Sequence, residues 1–193
     1  MKKILLYPGT FNPPHLGHAS VVHVALKTLT FDEVWILPSG KRVDRGILTS
    51  EEDRRKLSTL FTNYIQSQTN VPVRLVTDAL DGLGGKYTHE IIVDLKSQPD
   101  CEVYQLCGID GFTSIKERVI GPNEKFVINK RSGYEFPEDL DNNSNLIFIN
   151  EEIGVEGISS TKIREMVKNG DMEYKKLVPK EVSEYIDEKG LYV

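Results

Sequence analysis

Short apolar runs alternate with amphipathic helical patterns along almost the whole of this 193-residue chain, and that alternation restricts the fold more than any other feature. Lys3 to Tyr7 reads as a buried strand, and Val21, Val22, Ala25, Leu26 and Leu29 then fall on one face at helical spacing. Val34 to Leu37 is a second strand. A charged helix follows from about Glu51 to Ile65, with Leu57, Leu60, Phe61, Tyr64 and Ile65 as its apolar face. Val71 to Val76 reads as a strand, His89 to Leu95 as a helix, Val103 to Leu106 as a strand, and a short helix is expected after Asp110. Phe126 to Ile128 and Leu146 to Ile149 complete the strands. Strands joined through helices pair in parallel, so the expected fold is α/β, a doubly wound, mainly parallel sheet whose ligands lie outside the carboxyl ends of the strands. One domain over residues 1–193 is expected, with a small C-terminal helical extension.

The first strand-to-helix connection is Gly9-Thr10-Phe11-Asn12-Pro13-Pro14-His15-Leu16-Gly17-His18. Two prolines deny helix to the residues before them, so the helix should begin near Leu16 or Gly17 and place His18 in its first turn. Unpaired amides and the helix dipole favour an anion there. Gly9 and Gly17 would let a ligand approach the backbone closely. No Asp or Glu precedes Asp32, although the net charge is −5, so this end of the chain suits a phosphate. A lone histidine is usually a satisfied structural group. Two of them, three residues apart behind a Gly/Thr/Pro turn, point to an anion site.

A second signal lies far along the chain, at Ile158-Ser159-Ser160-Thr161-Lys162-Ile163-Arg164. Ser159 is a natural N-cap, and Ile163, Met166 and Val167 form the apolar face of the helix it opens. Lys162 and Arg164 oppose the helix dipole by roughly 0.3–1 kcal/mol at exposed sites, a sign that an arriving polyphosphate reverses. Arginine can grip phosphate oxygens in a fork, and the hydroxyls can donate.

Other classes are disfavoured. The apolar run after Lys2 and Lys3 is too short for a signal peptide, and no stretch approaches the roughly 18 apolar residues of a membrane span. A cytoplasmic location without membrane association is expected. Cys101 and Cys107 show neither metal-ligand spacing nor a disulfide framework and read as reduced near-core residues. A pI near 5.5 argues against binding a nucleic-acid polymer.

Together the two signals resemble the signatures of the HxGH nucleotidylyltransferase superfamily, and the chain is most similar to nicotinate or nicotinamide mononucleotide adenylyltransferases. Asp32 to Pro38, Tyr87-Thr88, Gly108-Ile109-Asp110, Arg131-Ser132-Gly133-Tyr134 and Val182 to Tyr192 extend the likeness. The resemblance implies a Rossmann-like nucleotidylyltransferase fold, and a reaction in which a pyridine mononucleotide attacks the α-phosphorus of ATP and expels pyrophosphate. It implies catalytic roles for His18, at the α-phosphate, and His15, at neighbouring phosphates. Gly9, Thr10 and Phe11 of the opening loop, with Ser160, Thr161 and Arg164, would hold the ATP phosphates, and Gly108 and Asp110 the ribose edge. Two departures stand out. No tryptophan follows Gly108-Ile109-Asp110, which leaves Phe112 or Tyr87 to stack on the pyridine and Thr88 to help position the mononucleotide; Trp35, the only tryptophan, is expected in the core. Pro38-Ser39-Gly40-Lys41-Arg42 replaces the family's Pro-Pro-His-Lys segment, so Lys41 is the remaining candidate phosphate contact.

Because the nucleophile is already ionised, the chemistry asks for alignment and for donors aimed at developing charge, not for a strong base. Magnesium, Mg2+, is expected to arrive on the ATP phosphates, with no metal site built from protein side chains. The choice between nicotinate and nicotinamide stays open, as do another acceptor such as phosphopantetheine, a non-catalytic nucleotide sensor and a homo-oligomeric state.

Overall fold

The computed structural model describes residues 1–40, 49–80, 88–116, 124–130, 143–150 and 157–193. Their strands are β1 (Lys2–Gly9), β2 (Glu33–Pro38), β3 (Val73–Leu75), β4 (Cys101–Gly108), β5 (Lys125–Lys130) and β6 (Leu146–Asn150). Helices α1 (Leu16–Thr28), α2 (Glu51–Ser67), α3 (Thr88–Lys96), α4 (Ile109–Lys116), α5 (Ser160–Lys168) and α6 (Lys180–Lys189) accompany them, with short 3-10 turns at Asp78–Leu80 and Met172–Lys176. The strands form one sheet in the order β3-β2-β1-β4-β5-β6, and every pairing is parallel. The chain therefore winds outward twice from the centre, and the switch point lies between β1 and β4. That crevice opens where Gly9 and Gly108 end their strands.

Alternate residues of β1 face opposite sides of the sheet, which explains its unbroken apolar run. Leu5 and Tyr7 pack with Val22 and Ala25 of α1 and with Phe61 and Ile65 of α2. Leu6 faces the other way, toward Ile91 and Leu95 of α3. Further along that second face, Phe112 of α4 packs with Cys107, Phe126 and Ile128. A separate apolar cluster joins Leu57 of α2 to Ile163 of α5 and to Tyr174, Val182 and Ile186 beyond it. The C-terminal helices are thereby packed onto α2.

Three expectations shift in detail. β3 spans only Val73–Leu75, because Pro72 has no N–H to give to a ladder, although its carbonyl accepts from Val34 N at 2.9 Å. β4 extends beyond the expected core at both ends, since it pairs with both β1 and β5. Trp35, expected in the core, is half-buried at its edge and packs against the Leu6 and Leu37 cluster; its indole N–H donates to Glu33 Oε2 at 2.7 Å, and the Arg74 guanidinium sits 5.8 Å from its ring centroid. Cys107 is buried and Cys101 partly buried, and both are free thiols. Among the described residues no helix is long and apolar enough to cross a membrane.

The amino ends of the central strands carry an ionic lock. Lys125 donates to the Glu102 carboxylate, and Lys3 lies 3.9 Å from it. The Lys125 hydrogen bond outweighs desolvation and holds the Glu102 carboxyl below its usual 4.5. A depressed folded-state pKa stabilises the fold above the unfolded value, and the contribution is lost as pH falls through the folded value. Glu102→Gln is therefore expected to lower stability near neutrality by about 1 kcal/mol. In acid denaturation series the gap from wild type should close below roughly pH 4; a gap independent of pH would show that the carboxylate charge contributes nothing.

Candidate active site

The first signature turns β1 into α1 with little freedom. Phe11 adopts φ +48 and swings its ring back over Gly9, where a Cβ would lie 2.7 Å from Phe11 Cζ. Gly17 is likewise covered, and a Cβ there would come within 3.0 Å of His15 Nδ1. The space above both glycines, expected for a ligand, is filled by the Phe11 and His15 rings. Glycine is needed at these positions so that the protein can close on itself.

His15 is the N-cap of α1, and His18 occupies the third helical position. His15 Nδ1 accepts from His18 N–H at 3.3 Å, and His18 Nδ1 accepts from His15 N–H at 3.2 Å. The result is a capping box made of two imidazoles, stacked with centroids 3.6 Å apart and planes at 24°. Since both Nδ1 atoms accept, each neutral ring carries its proton on Nε2. His18 thus carries its ring N–H on Nε2, and the residue lines the cavity between the two signatures. The Phe11 ring meets His18 edge-on at 5.1 Å and fixes its tilt.

The second signature docks against the first. Ser159 caps α5 through Lys162 N–H, as its sequence position indicated. From the first turn, Ser160 Oγ donates to the Pro13 carbonyl at 2.8 Å, and Arg164 Nη1 donates to the Asn12 carbonyl at 2.8 Å. Arg164 Nη2 reaches Thr161 Oγ1 at 3.2 Å. Between the two signatures lies a cavity of about 430 Å³, lined by Thr10, Phe11, Asn12, His18, Ser160, Thr161 and Arg164. No carboxylate is among these residues. A hydroxyl pair, an imidazole N–H and a guanidinium at a helix N-terminus form a surface suited to a polyanion.

Of the residues expected to meet ATP, the cavity unites Thr10, Phe11, His18, Ser160, Thr161 and Arg164. His15 stands behind His18, 2% exposed, and does not line it. Gly108 ends β4, and α4 starts immediately at Ile109, so Asp110 lies inside the first turn. A Cβ on Gly108 would sit 2.5 Å from Asp110 Oδ1, so any side chain there would displace this carboxylate. Phe112, expected at the pyridine, is fully buried with its ring edge-on to Phe126 at 5.4 Å and has no face to offer a second ring. Thr88 opens α3. Lys41, Tyr87 and the Arg131 to Tyr134 segment fall outside the described residues. Also among the described residues, no group of three His, Cys, Asp or Glu side chains could hold a metal.

Two participants escaped the sequence reading. Arg54 of α2 is 2% exposed and donates to the carbonyls of Thr10 at 3.2 Å, Gly40 at 3.3 Å and Ser39. Burial lowers its pKa, against the pull of the Tyr192 phenol and Glu51. No described carboxylate forms an ion pair with it, so main-chain dipoles at the ends of β1 and β2 are its nearest counterweight. The helical positions 54, 57, 61 and 65 share one face, and that periodicity marks Arg54 as inward-facing. Asn12 is the other, 4% exposed and bonded through both its side chain and its carbonyl.

A family model described as cytidylyltransferase-like matches residues 6–166. The probable nicotinate-nucleotide adenylyltransferase of Bacillus cytotoxicus is 33% identical, covering 100% of this chain and 99% of its own. That of Geobacillus thermodenitrificans is 31% identical, covering 100% and 87%. Among solved structures, Plasmodium falciparum nicotinic acid mononucleotide adenylyltransferase complexed with NaAD matches with a TM-score of 0.79 at 22% identity, over 100% of this chain and 98% of that one. At that identity the likeness bears on the fold alone.

Proposed function

The chain belongs to the cytidylyltransferase-like family and, within it, to the nicotinate-nucleotide adenylyltransferases, and from that premise we propose that it joins ATP to nicotinate mononucleotide in the synthesis of a pyridine dinucleotide. The observation that carries this reading is the shared cavity, in which two signatures more than 140 positions apart present donors and no carboxylate to one space.

A phosphate oxygen of the mononucleotide attacks the α-phosphorus, a new P–O bond forms, and the bond to the β-phosphate bridging oxygen breaks as pyrophosphate leaves. Charge grows on the α-phosphate oxygens and on the leaving group. His18 donates its Nε2 proton in a hydrogen bond to the former, held at a fixed tilt by its cap and by Phe11. Thr161 and Arg164 bind the β- and γ-phosphates, with Ser160 anchoring their helix to the loop. His15 acts from behind by holding His18, not by touching phosphate. The dipole of α5 adds to the attraction for anions.

Magnesium enters with the substrate as MgATP and offsets triphosphate charge. The lining offers hydroxyls, an imidazole and a guanidinium, which suit the phosphates and not a protein-built magnesium cage. Gly108 and Asp110 do not line this cavity; they lie at the carboxyl end of the strand beside β1, a position from which they would meet the ATP ribose.

Incubation with MgATP and, separately, nicotinate mononucleotide, nicotinamide mononucleotide and phosphopantetheine tests the proposal through pyrophosphate release and product mass. Dinucleotide formation fastest with nicotinate mononucleotide is expected. Turnover confined to phosphopantetheine would overturn the acceptor assignment, and nucleotide binding without turnover would overturn the enzyme.

A further inference from the structure

We propose that Tyr192 is a positioning residue for this site: its hydroxyl holds the Asn12 side chain and so sets the main-chain carbonyl on which Arg164 rests. The proposal depends on the cavity being the triphosphate site. Its basis is a chain of hydrogen bonds that meets in one residue.

Asn12 Oδ1 accepts from Tyr192 Oη at 2.7 Å, across 180 positions, and from Thr49 Oγ1 at 2.9 Å. Its carbonyl accepts from Arg164 at 2.8 Å. Asn12 lines the cavity with Phe11 and the first turn of α5, so a side chain held at Oδ1 restrains the same residue whose main-chain carbonyl receives Arg164. Thr49 and Tyr192 come from different parts of the chain, one leading into α2 and the other following α6. Two donors from different parts of the chain occupy both lone-pair directions of Oδ1 and restrain the amide more tightly than one would.

The delivery of Tyr192 is itself built. Gly190 takes φ +57 at the end of α6, and the next amide, Leu191 N–H, returns to Ile186 O at 3.0 Å. Leu191 then packs with the C-terminal apolar cluster, and Tyr192, at φ +70, turns inward against it. Burial raises the phenol's pKa against a hydrogen bond with Thr49 and the nearby charges of Arg164 and Arg54, so it stays a protonated donor at neutral pH.

A merely structural tyrosine and a positioning one differ in what Tyr192→Phe does. The ring and its packing remain, and Oδ1 keeps Thr49 as a partner, so Tm should fall by no more than about 2 °C. The KM for MgATP should rise roughly fivefold, the equivalent of one neutral hydrogen bond, with the KM for the mononucleotide unchanged. Asn12→Ala removes the acceptor, and adding Tyr192→Phe to it should have no further effect on that KM. Wild-type kinetics in Tyr192→Phe, a loss confined to Tm, or effects that multiply in the double variant would each overturn the proposal. Calorimetric Kd values for MgATP in the same four proteins read the coupling without turnover. A wild type that binds MgATP with this coupling but makes no dinucleotide would sink the acceptor assignment alone.

Discussion

Replacing His18 with alanine is expected to lower kcat about a hundredfold or more, the usual cost of removing one donor from a transition-state anion. The structure adds a second consequence, because His18 also accepts the His15 N–H. Alanine therefore removes a cap interaction worth roughly 1 kcal/mol, which for a chain of this size lowers Tm by about 2–4 °C. His18→Gln separates the two roles. Its amide oxygen can take the N-cap N–H, as glutamine does in ordinary capping boxes, while the imidazole donor is gone. Tm should then return toward wild type while kcat stays low. Near-wild-type turnover in either variant would remove His18 from the chemistry.

The second large effect is expected at Arg54. Arg54→Met fills similar volume but leaves the carbonyls of Thr10, Ser39 and Gly40 without their donor. Hydrogen bonds to a charged group contribute about 1.5–3 kcal/mol each, and their partial replacement by water suggests a net loss near 3 kcal/mol. That corresponds to a Tm lower by roughly 6–12 °C in a chain of this size. Thr10 lines the cavity, so the KM for MgATP should rise as well. Arg54→Lys keeps the charge without the fork and should recover only part of either loss. Thermal unfolding and initial-rate kinetics on the two variants check this; an Arg54→Met protein as stable as wild type would show that the carbonyls find other donors.

The sequence made the strand–helix alternation, the start of α1 and the Ser159 cap legible because each depends on residues a few positions apart. It also pointed to the two segments that meet around the cavity. What it could not convey is who fills the space around the glycines: Gly9 and Gly17 looked like openings and are covered by Phe11 and His15. Arg54 lay hidden in the run Glu51-Glu52-Asp53-Arg54-Arg55-Lys56, where composition suggests a solvated face and only the 54-57-61-65 spacing says otherwise. Phe112 was misplaced for the opposite reason, since an aromatic near a ligand-binding turn looks available until its neighbour Phe126 is known. Asn12 and Tyr192 have no local signal at all. Their partnership depends on the tertiary fold.

The bonds from Ser160 to Pro13 and from Arg164 to Asn12 span 147 and 152 positions. Such a cavity has no existence in a partly assembled chain: if α5 detaches from the first loop, the cavity loses one of its walls. With the triphosphate in this cavity, nucleotide binding and the docking of α5 on the first loop would be linked equilibria. A ligand at a hundred times its Kd favours the closed arrangement by about 2.7 kcal/mol. If the cavity is the triphosphate site, as proposed above, the substrate would also act as a structural element, and depletion of nucleotide would loosen the docking of α5 on the first loop.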